Sequence, residues 1–182
     1  MVLINENKFG SKAQSINDVA ERLTAINWYE KAGVTEKEAE ETFHRFMQAL
    51  QVNKYDIQWV SKEQVPDAIS KLTFDNSELW EVLRELPNQL KKDIEAEGQV
   101  SLLEKAVDTV PQAVFHAAFE KAFQTFDEEK TVSFLVGHAM YIAVLACTAE
   151  LAGRTELFAS LLELLESGHV PLGPEGNTIY LL

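Results

Sequence analysis

A chain of 182 residues, with 46% hydrophobic and 25% charged residues, has the size and composition of one ordinary globular domain. Its formal net charge of -13 argues against nucleic acid or an anionic membrane surface as a partner, because both need a basic binding surface. We therefore predict a single domain over residues 1–182, with no nucleic acid and no membrane as partner.

The single cysteine and the N-terminus predict where the protein resides. Cys147 is the only cysteine, so no intrachain disulfide can form. The first ten residues, MVLINENKFG, lack the basic start and the apolar run of a secretory signal. Both observations favour the reducing environment of the cytoplasm.

Helix start and stop signals divide the N-terminal third of the chain into two helices. The first is predicted to be capped by Ser15 or Asn17 and to end near Ala32, just before a glycine. The segment Thr35–Glu38 matches a capping box, in which the threonine and glutamate side chains satisfy free amides at a helix start. The second helix should therefore begin there and continue to about Val52.

The middle of the chain changes its hydrophobic period. Apolar and polar residues alternate over Tyr55–Trp59, as in a short half-buried strand. The segment Asp75–Glu78 is a further helix cap, followed by an apolar stripe that ends at Gly98. Pro87 lies within that stripe and lacks the amide that would bond back one turn, so we expect a kink or two consecutive helices.

Two further start signals precede the most apolar part of the chain. The segment Ser101–Glu104 resembles a second capping box, and Pro111 is suited to be the first residue of a new helix. That new helix should carry one apolar face, formed by Phe115, Ala118, Phe119, Ala122, Phe123 and Phe126.

Residues 131–149 contain no formally charged side chain and are the longest such apolar run. The run is long enough to cross a membrane, but acidic residues outweigh Lys130 before it and no basic loop would orient it. We interpret it as a central helix, about residues 132–151, buried within a helical bundle.

The last part of the chain ends in a short β element. Thr155 is predicted to cap a helix over 157–165, and Gly173–Asn177 is predicted to be a turn. The apolar tail Thr178–Leu182 should form a strand that pairs with Val2–Ile4 or with Tyr55–Trp59. The predicted fold class is mainly α: seven or eight helices around the central helix, with a minor β element that includes the C-terminal tail.

Three histidines are the residues with which this chain could do chemistry. His138 lies within the uncharged run, so it must form a hydrogen bond or have a lowered pKa that keeps it neutral. His44 and His116 lie on other predicted helices and could join it in a metal site. The sequence therefore leaves open a helical enzyme or ligand-binding protein that uses these histidines, with or without a metal ion.

The preferred function is a cytoplasmic protein-interaction module, such as an inhibitor, an immunity-type factor, an adaptor or an assembly subunit. Familiar catalytic motifs are absent, which favours a non-catalytic role without deciding it, and no cofactor is predicted. The acidic surface should contact a basic protein partner, and self-association into a homo-oligomer is an alternative. The predicted partner-binding residues are Glu36, Glu40, Glu41, Glu163 and Glu166. If these do not form the interface, Trp59 and the C-terminal tail are the next candidates.

Overall fold

The computed structural model describes residues 3–31, 33–74 and 77–182. Within them the chain forms eight α-helices and three short strands, so the mainly α fold with a minor β element is confirmed. The helices are α1 Glu6–Phe9, α2 Ser11–Ala25, α3 Glu36–Ala49, α4 Val65–Lys71, α5 Glu78–Ala96, α6 Val100–Thr125, α7 Glu129–Leu151 and α8 Ala159–Glu166. The strands are β1 Asp56–Trp59, β2 Pro171–Glu175 and β3 Thr178–Leu181.

Helix α7 lies at the centre of the bundle, as the uncharged run predicts. Thirteen of its residues are buried, and α6, α2, α5 and α4 all pack against it. Among the described residues it is the one helix long and apolar enough to cross a membrane. Its apolar side chains are largely occupied by contacts within the protein, as expected for a core helix.

Two predicted helix starts are present with the expected hydrogen bonds. The Glu38 amide donates to Thr35 Oγ1 at 3.3 Å and the Thr35 amide donates to Glu38 Oε2 at 2.9 Å, which completes the capping box of α3. Ser77 caps α5 by accepting from the Trp80 amide at 3.3 Å. The first two residues of that predicted cap, Asp75 and Asn76, lie outside the described residues.

The first long helix starts and ends earlier than predicted. Helix α2 begins at Ser11, and Asn17 lies within it because its side chain makes tertiary bonds instead of capping. Asn17 Oδ1 accepts from the amides of Leu3 and Ile4 at 3.1 and 2.9 Å, and this binds the N-terminal segment to the helix. The helix ends at Ala25 because the next residue is extended, and the predicted end at Ala32 lies outside the described residues.

The predicted start of a new helix at Pro111 is wrong, and of the two alternatives predicted at Pro87, two consecutive helices do not form. Helix α6 runs without interruption through Pro111, and α5 likewise contains Pro87. Gln99 occupies the N-cap of α6, and Ser101 lies inside the helix, so no second capping box forms there. Pro111 is buried in α6, and burial of this apolar stretch outweighs the one backbone hydrogen bond that a proline removes.

The sheet has the order β1-β3-β2, so the C-terminal strand is its middle strand. Strand β3 pairs in parallel with β1, with Asp56 opposite Thr178, which confirms one of the two predicted pairings of the tail. The predicted turn over 173–177 is too long, because β2 occupies most of it and pairs antiparallel with β3. Two prolines are tolerated in β2 because it is an edge strand of the sheet.

The final helix is shorter than predicted. Thr155 begins a 3-10 turn that ends at Leu157, and α8 starts only at Ala159. Phe158 occupies the N-cap position and is buried, so packing rather than a polar cap places this helix start.

Candidate functional site: an aromatic row on α6 and a cavity at His138

Helix α6 exposes a row of three phenylalanines at intervals of four residues. The exposed fractions are 36% for Phe115, 41% for Phe119 and 69% for Phe123. We name these three residues the aromatic row. Ala118, Ala122 and Phe126, which the sequence places on the same apolar face, are buried. The predicted single face is therefore wrong, because the alanines face the core and the aromatic row faces solvent.

The three rings of the aromatic row stack on one another along the helix. The ring centroids of Phe115 and Phe119 are 5.5 Å apart with 13° between the planes, and those of Phe119 and Phe123 are 5.7 Å apart with 19°. Stacked rings hold one another in place, so little side-chain entropy remains to be lost on binding. In protein interfaces a few large side chains that become buried on binding carry most of the binding energy.

Acidic and polar residues lie along one side of the aromatic row and after its C-terminal end. The next row on α6, at the same four-residue spacing, is polar and exposed, and it includes His116 and Glu120. Asp127, Glu128 and Glu129 follow at its C-terminal end and are all exposed. Glu120 and these three acidic residues form no ion pair with another described residue. Negative charge beside the aromatic row is therefore available to a partner.

The acidic residues predicted from the sequence lie elsewhere, on two helices that pack against each other, α3 and α8. Each already has a partner within the chain. The contacts are Glu36 with Lys31 at 3.8 Å, Glu40 with Trp59 Nε1 at 2.8 Å, Glu41 with Lys37 at 4.0 Å, Glu163 with Arg45 at 2.8 Å and Glu166 with Arg22 at 2.8 Å. Four of these five carboxylates are thus locally balanced by a cation, which reduces their contribution to the negative potential of this face.

Of the two alternative interface segments, the tail is buried and Trp59 is partly covered. Trp59 is only partly exposed, since it contacts the His169 ring at a centroid distance of 5.3 Å and is covered by the Lys31 ammonium. The C-terminal tail is the middle strand of the sheet, and its residues from Ile179 to Leu182 are at most 4% exposed. The tail therefore offers no free apolar surface, and Trp59 offers only part of its ring.

The three histidines of the metal hypothesis are not brought together. His44 lies on α3, His116 is exposed on α6 and His138 lies on α7. Across residues 3–31, 33–74 and 77–182, no three His, Cys, Asp or Glu side chains are placed to hold a metal ion.

His138 lines two adjoining spaces in the structure. One is an inner apolar cavity of about 50 Å³ among α3, α5, α7, α8 and the sheet. The other is an outer groove of about 350 Å³ that includes Gly137 and Phe134. Four residues line both spaces: Phe74, Trp80, His138 and Tyr141.

The His138 ring is neutral and only partly satisfied in this setting. Its Nε2 atom is buried and has no hydrogen-bond partner among the described residues. Burial lowers the pKa of His138 from 6.5 to about 4, although the nearby Pro171 backbone carbonyl favours the protonated ring. The lowered pKa agrees with the expectation that a histidine in the uncharged run stays neutral. Tyr141, by contrast, is satisfied, since its hydroxyl donates to the Leu83 carbonyl oxygen at 3.0 Å.

The aromatic row and the cavity were both missed by sequence reasoning. The row could have been found from the two neighbouring four-residue repeats on α6, one of alanines and one of phenylalanines. Small residues allow two helices to approach closely, so the alanine repeat should face α7 and the larger repeat should face outward. The cavity depends on side chains from five elements far apart in sequence, so no local sequence pattern could indicate it.

No family model, curated protein or solved structure matches this chain.

Proposed function

We propose that this protein is a cytoplasmic, non-catalytic interaction module that binds an amphipathic helix of a partner protein through the aromatic row. The apolar face of the partner helix covers Phe115, Phe119 and Phe123. Basic residues on that helix face Glu120 and the acidic turn that follows α6. The exposed, stacked phenylalanines are the observation that carries this proposal.

The dimensions of the aromatic row fit a helical partner. Four residues along a helix correspond to a rise of about 6 Å, so the three rings span roughly 12 Å. A partner helix presents apolar side chains over the same length when they recur at positions i, i+3, i+4 and i+7. An exposed aromatic strip of this kind marks an interaction surface, because isolated apolar residues, and not ordered strips, are the norm on a protein surface.

Charge determines the kind of helix that is bound. The acidic residues beside the aromatic row lack ion-pair partners among the described residues, and the whole chain carries a net charge of -13. This field attracts a basic partner and repels an acidic one, which accelerates association with the correct protein. In this proposal the carboxylates of α3 and α8 contribute to the long-range field and lie outside the contact surface.

The decisive experiment is site-specific photo-crosslinking in an extract of the source organism. A photo-reactive benzoyl-phenylalanine replaces Phe119 in one protein and Val34 in a matched control. Val34 is suited to this role because it is also an exposed large apolar residue, at 38%, but it precedes α3. We expect one predominant adduct from position 119 that is absent from position 34. Its crosslinked peptide should lie in a basic amphipathic helix.

Binding of the purified partner then tests the energetics. Phe119→Ser should weaken binding at least tenfold, because a central aromatic anchor is lost, and Val34→Ser should leave binding unchanged. Raising the salt concentration from 0.01 M to 0.15 M should lower the association rate, because the screening length falls from about 30 Å to about 8 Å.

Two results would contradict the proposal. The first is an identical crosslinking pattern at positions 119 and 34. The second is an adduct between two copies of this chain, together with a dimer that Phe119→Ser dissociates, since the aromatic row would then be a self-association surface.

A further inference from the structure

The inner cavity beside α7 is suited to an apolar occupant. Its volume is about 50 Å³, and the accessible surface that lines it is carbon throughout. A water molecule in such a space needs about two to four polar partners, and the cavity offers none. His138 Nε2 does not change this, because the atom is buried with almost no accessible surface. An apolar occupant, by contrast, supplies the dispersion contacts that the lining of an empty space lacks.

The size of the inner cavity selects a narrow chain over a ring. A dry cavity of about 150 Å³ holds a benzene ring, whereas this one has only about 50 Å³. The smaller volume corresponds to about four water-sized spheres, at roughly 10–15 Å³ each. The cavity therefore has room for the last few carbon atoms of an unbranched alkyl chain.

The outer groove has room for the rest of such a chain and for its head group. It measures about 350 Å³, is open to solvent and shares four lining residues with the inner cavity, namely Phe74, Trp80, His138 and Tyr141. Two of the groove residues carry polar groups without a hydrogen-bond partner among the described residues, the indole N–H of Trp80 and the hydroxyl of Ser133. A polar head group can remain hydrated or bond to these groups. Hydrogen bonding thus accommodates the head group, and the shape of the inner cavity selects the chain.

Charge determines the kind of head group. No Lys or Arg is present among the described residues that line either space, and the whole chain has a net charge of -13. A carboxylate would find no counter-ion in the groove and would be repelled by the field of the protein. An uncharged head group is therefore favoured.

We propose that this protein binds an uncharged single-chain alkyl compound, such as a medium-chain alcohol, with the end of the chain in the inner cavity and the head group in the outer groove. The ligand site is separate from the aromatic row of α6. It does not depend on the proposed protein-interaction function.

The test compares four probes by isothermal titration calorimetry. Octan-1-ol should bind about ten- to twentyfold more tightly than hexan-1-ol, because each buried methylene group contributes a factor of about four. 2-Cyclohexylethanol has the same eight carbons and the same hydroxyl, and it should bind at least about tenfold more weakly than octan-1-ol because its ring cannot enter the cavity. Octanoate should also bind more weakly than octan-1-ol. The methyl resonances of Ile142 and Leu145, which line only the inner cavity, should shift with octan-1-ol.

A leucine placed in the groove tests the position of the site. Gly137→Leu should weaken octan-1-ol binding at least tenfold while the protein stays folded, since a Cβ added at Gly137 meets no atom within 4 Å and leucine favours a helix. Gln48→Leu is the matched control, because it adds the same side chain at an exposed position of α3 that lines neither space. It should leave the affinity unchanged.

Enlarging the inner cavity tests the selection by size. Leu161 lines only the inner cavity, so Leu161→Ala should admit the ring and bring the affinities of 2-cyclohexylethanol and octan-1-ol to within about threefold. Leu102→Ala makes the same change at a buried position of α6 that lines neither space, and it should preserve the preference for the chain. Each comparison is a ratio within one folded protein, so a loss of stability cannot produce this pattern.

The proposal is overturned by equal affinity of the wild-type protein for octan-1-ol and 2-cyclohexylethanol, or for octan-1-ol and octanoate. Undiminished binding to the Gly137→Leu protein would also overturn it, as would failure of the wild-type protein to bind octan-1-ol. These measurements need only the wild-type protein and a surface variant, so they decide the question even if Leu161→Ala does not fold.

Discussion

Replacing His138 with phenylalanine should remove a large part of the acid sensitivity of this protein. The pKa of His138 is about 4 in the folded state and 6.5 for an ordinary histidine, and burial is the cause of the difference. Between these two values the unfolded chain binds a proton that the folded protein does not. The free energy of unfolding therefore falls as the pH is lowered from about 6.5 to about 4.

The size of this effect follows from the two pKa values. The interval from 6.5 to about 4 corresponds to a loss of about 3 kcal/mol, at roughly 1.36 kcal/mol for each pH unit. Above pH 7 the histidine is neutral in both states and makes no contribution of this kind. Phenylalanine cannot titrate, so the variant should lose about 3 kcal/mol less than the wild type between pH 7 and pH 4.

Urea unfolding at pH 7.5, 6.5, 5.5, 4.5 and 4.0 measures this difference. His44 and His169 also have lowered pKa values, again because of burial, and acidic side chains titrate in the same range. These groups are common to both proteins, so they cancel when the two curves are subtracted. Parallel curves for wild type and variant would refute the reasoning, because they would show that His138 has an ordinary pKa in the folded protein.

Three further predictions concern the stability and reactivity of the fold. Gly168→Ala should lower the free energy of unfolding by at least about 3 kcal/mol, because Gly168 has φ +81° and an added Cβ would lie 1.8 Å from the Glu30 carbonyl oxygen. Thermal melting measures this loss of stability. Gly98→Ala is the control, because Gly98 has a similar φ but an added Cβ there would meet open space, so the free energy of unfolding should fall by only about 1–2 kcal/mol. Cys147 should react with Ellman's reagent at pH 8 at least about 1,000-fold more slowly than free cysteine, since burial raises the pKa of its thiol to about 12. Fast reaction of the folded protein in the absence of urea would contradict this prediction. Asn17→Ala should destabilise the protein by about 2 kcal/mol and speed hydrogen exchange at the N-terminal amides that it binds, and unchanged exchange would show that these bonds do not hold that segment.

Features of the fold that depend on local chemistry could be predicted from the sequence. The capping box at Thr35 needs only two side chains three residues apart, and it is present with both hydrogen bonds. The central helix needs only an uncharged run of sufficient length, and it spans Glu129–Leu151. The pairing of the tail with Tyr55–Trp59 could also be anticipated, because an apolar strand needs a partner.

The errors arose where tertiary packing overrides a local signal. Pro111 is a good helix start in isolation, but its burial in α6 keeps one helix continuous. Asn17 is a good helix cap, but its amide side chain instead binds a segment thirteen residues away. The two faces of α6 are both apolar, so hydrophobicity alone cannot say which one is buried, and the size of the side chains decides it.

The candidate site was only partly predictable for the same reason. The need for a neutral His138 follows from the sequence, since the residue lies in the uncharged run 131–149. The groove beside it requires contributions from α5, α7 and the residues before α5, whose relative positions are not encoded locally. The acidic partner-binding residues of α3 and α8 remain a hypothesis, and their internal ion pairs favour the uncompensated acids near α6 as the charged part of the interface.

The order of the small sheet has a consequence for how the protein is made. Strand β3 is synthesised after β1 and β2, yet it lies between them in the sheet, and its parallel partner β1 precedes it by about 120 residues. A ribosome can therefore complete most of the helices while β1 and β2 still lack their common partner. Until β3 has emerged from the ribosome, both strands present unpaired amides and carbonyls that other chains can bind. Chains truncated before β3 should thus be recognised by chaperones and proteases, although the eight described helices all precede that strand.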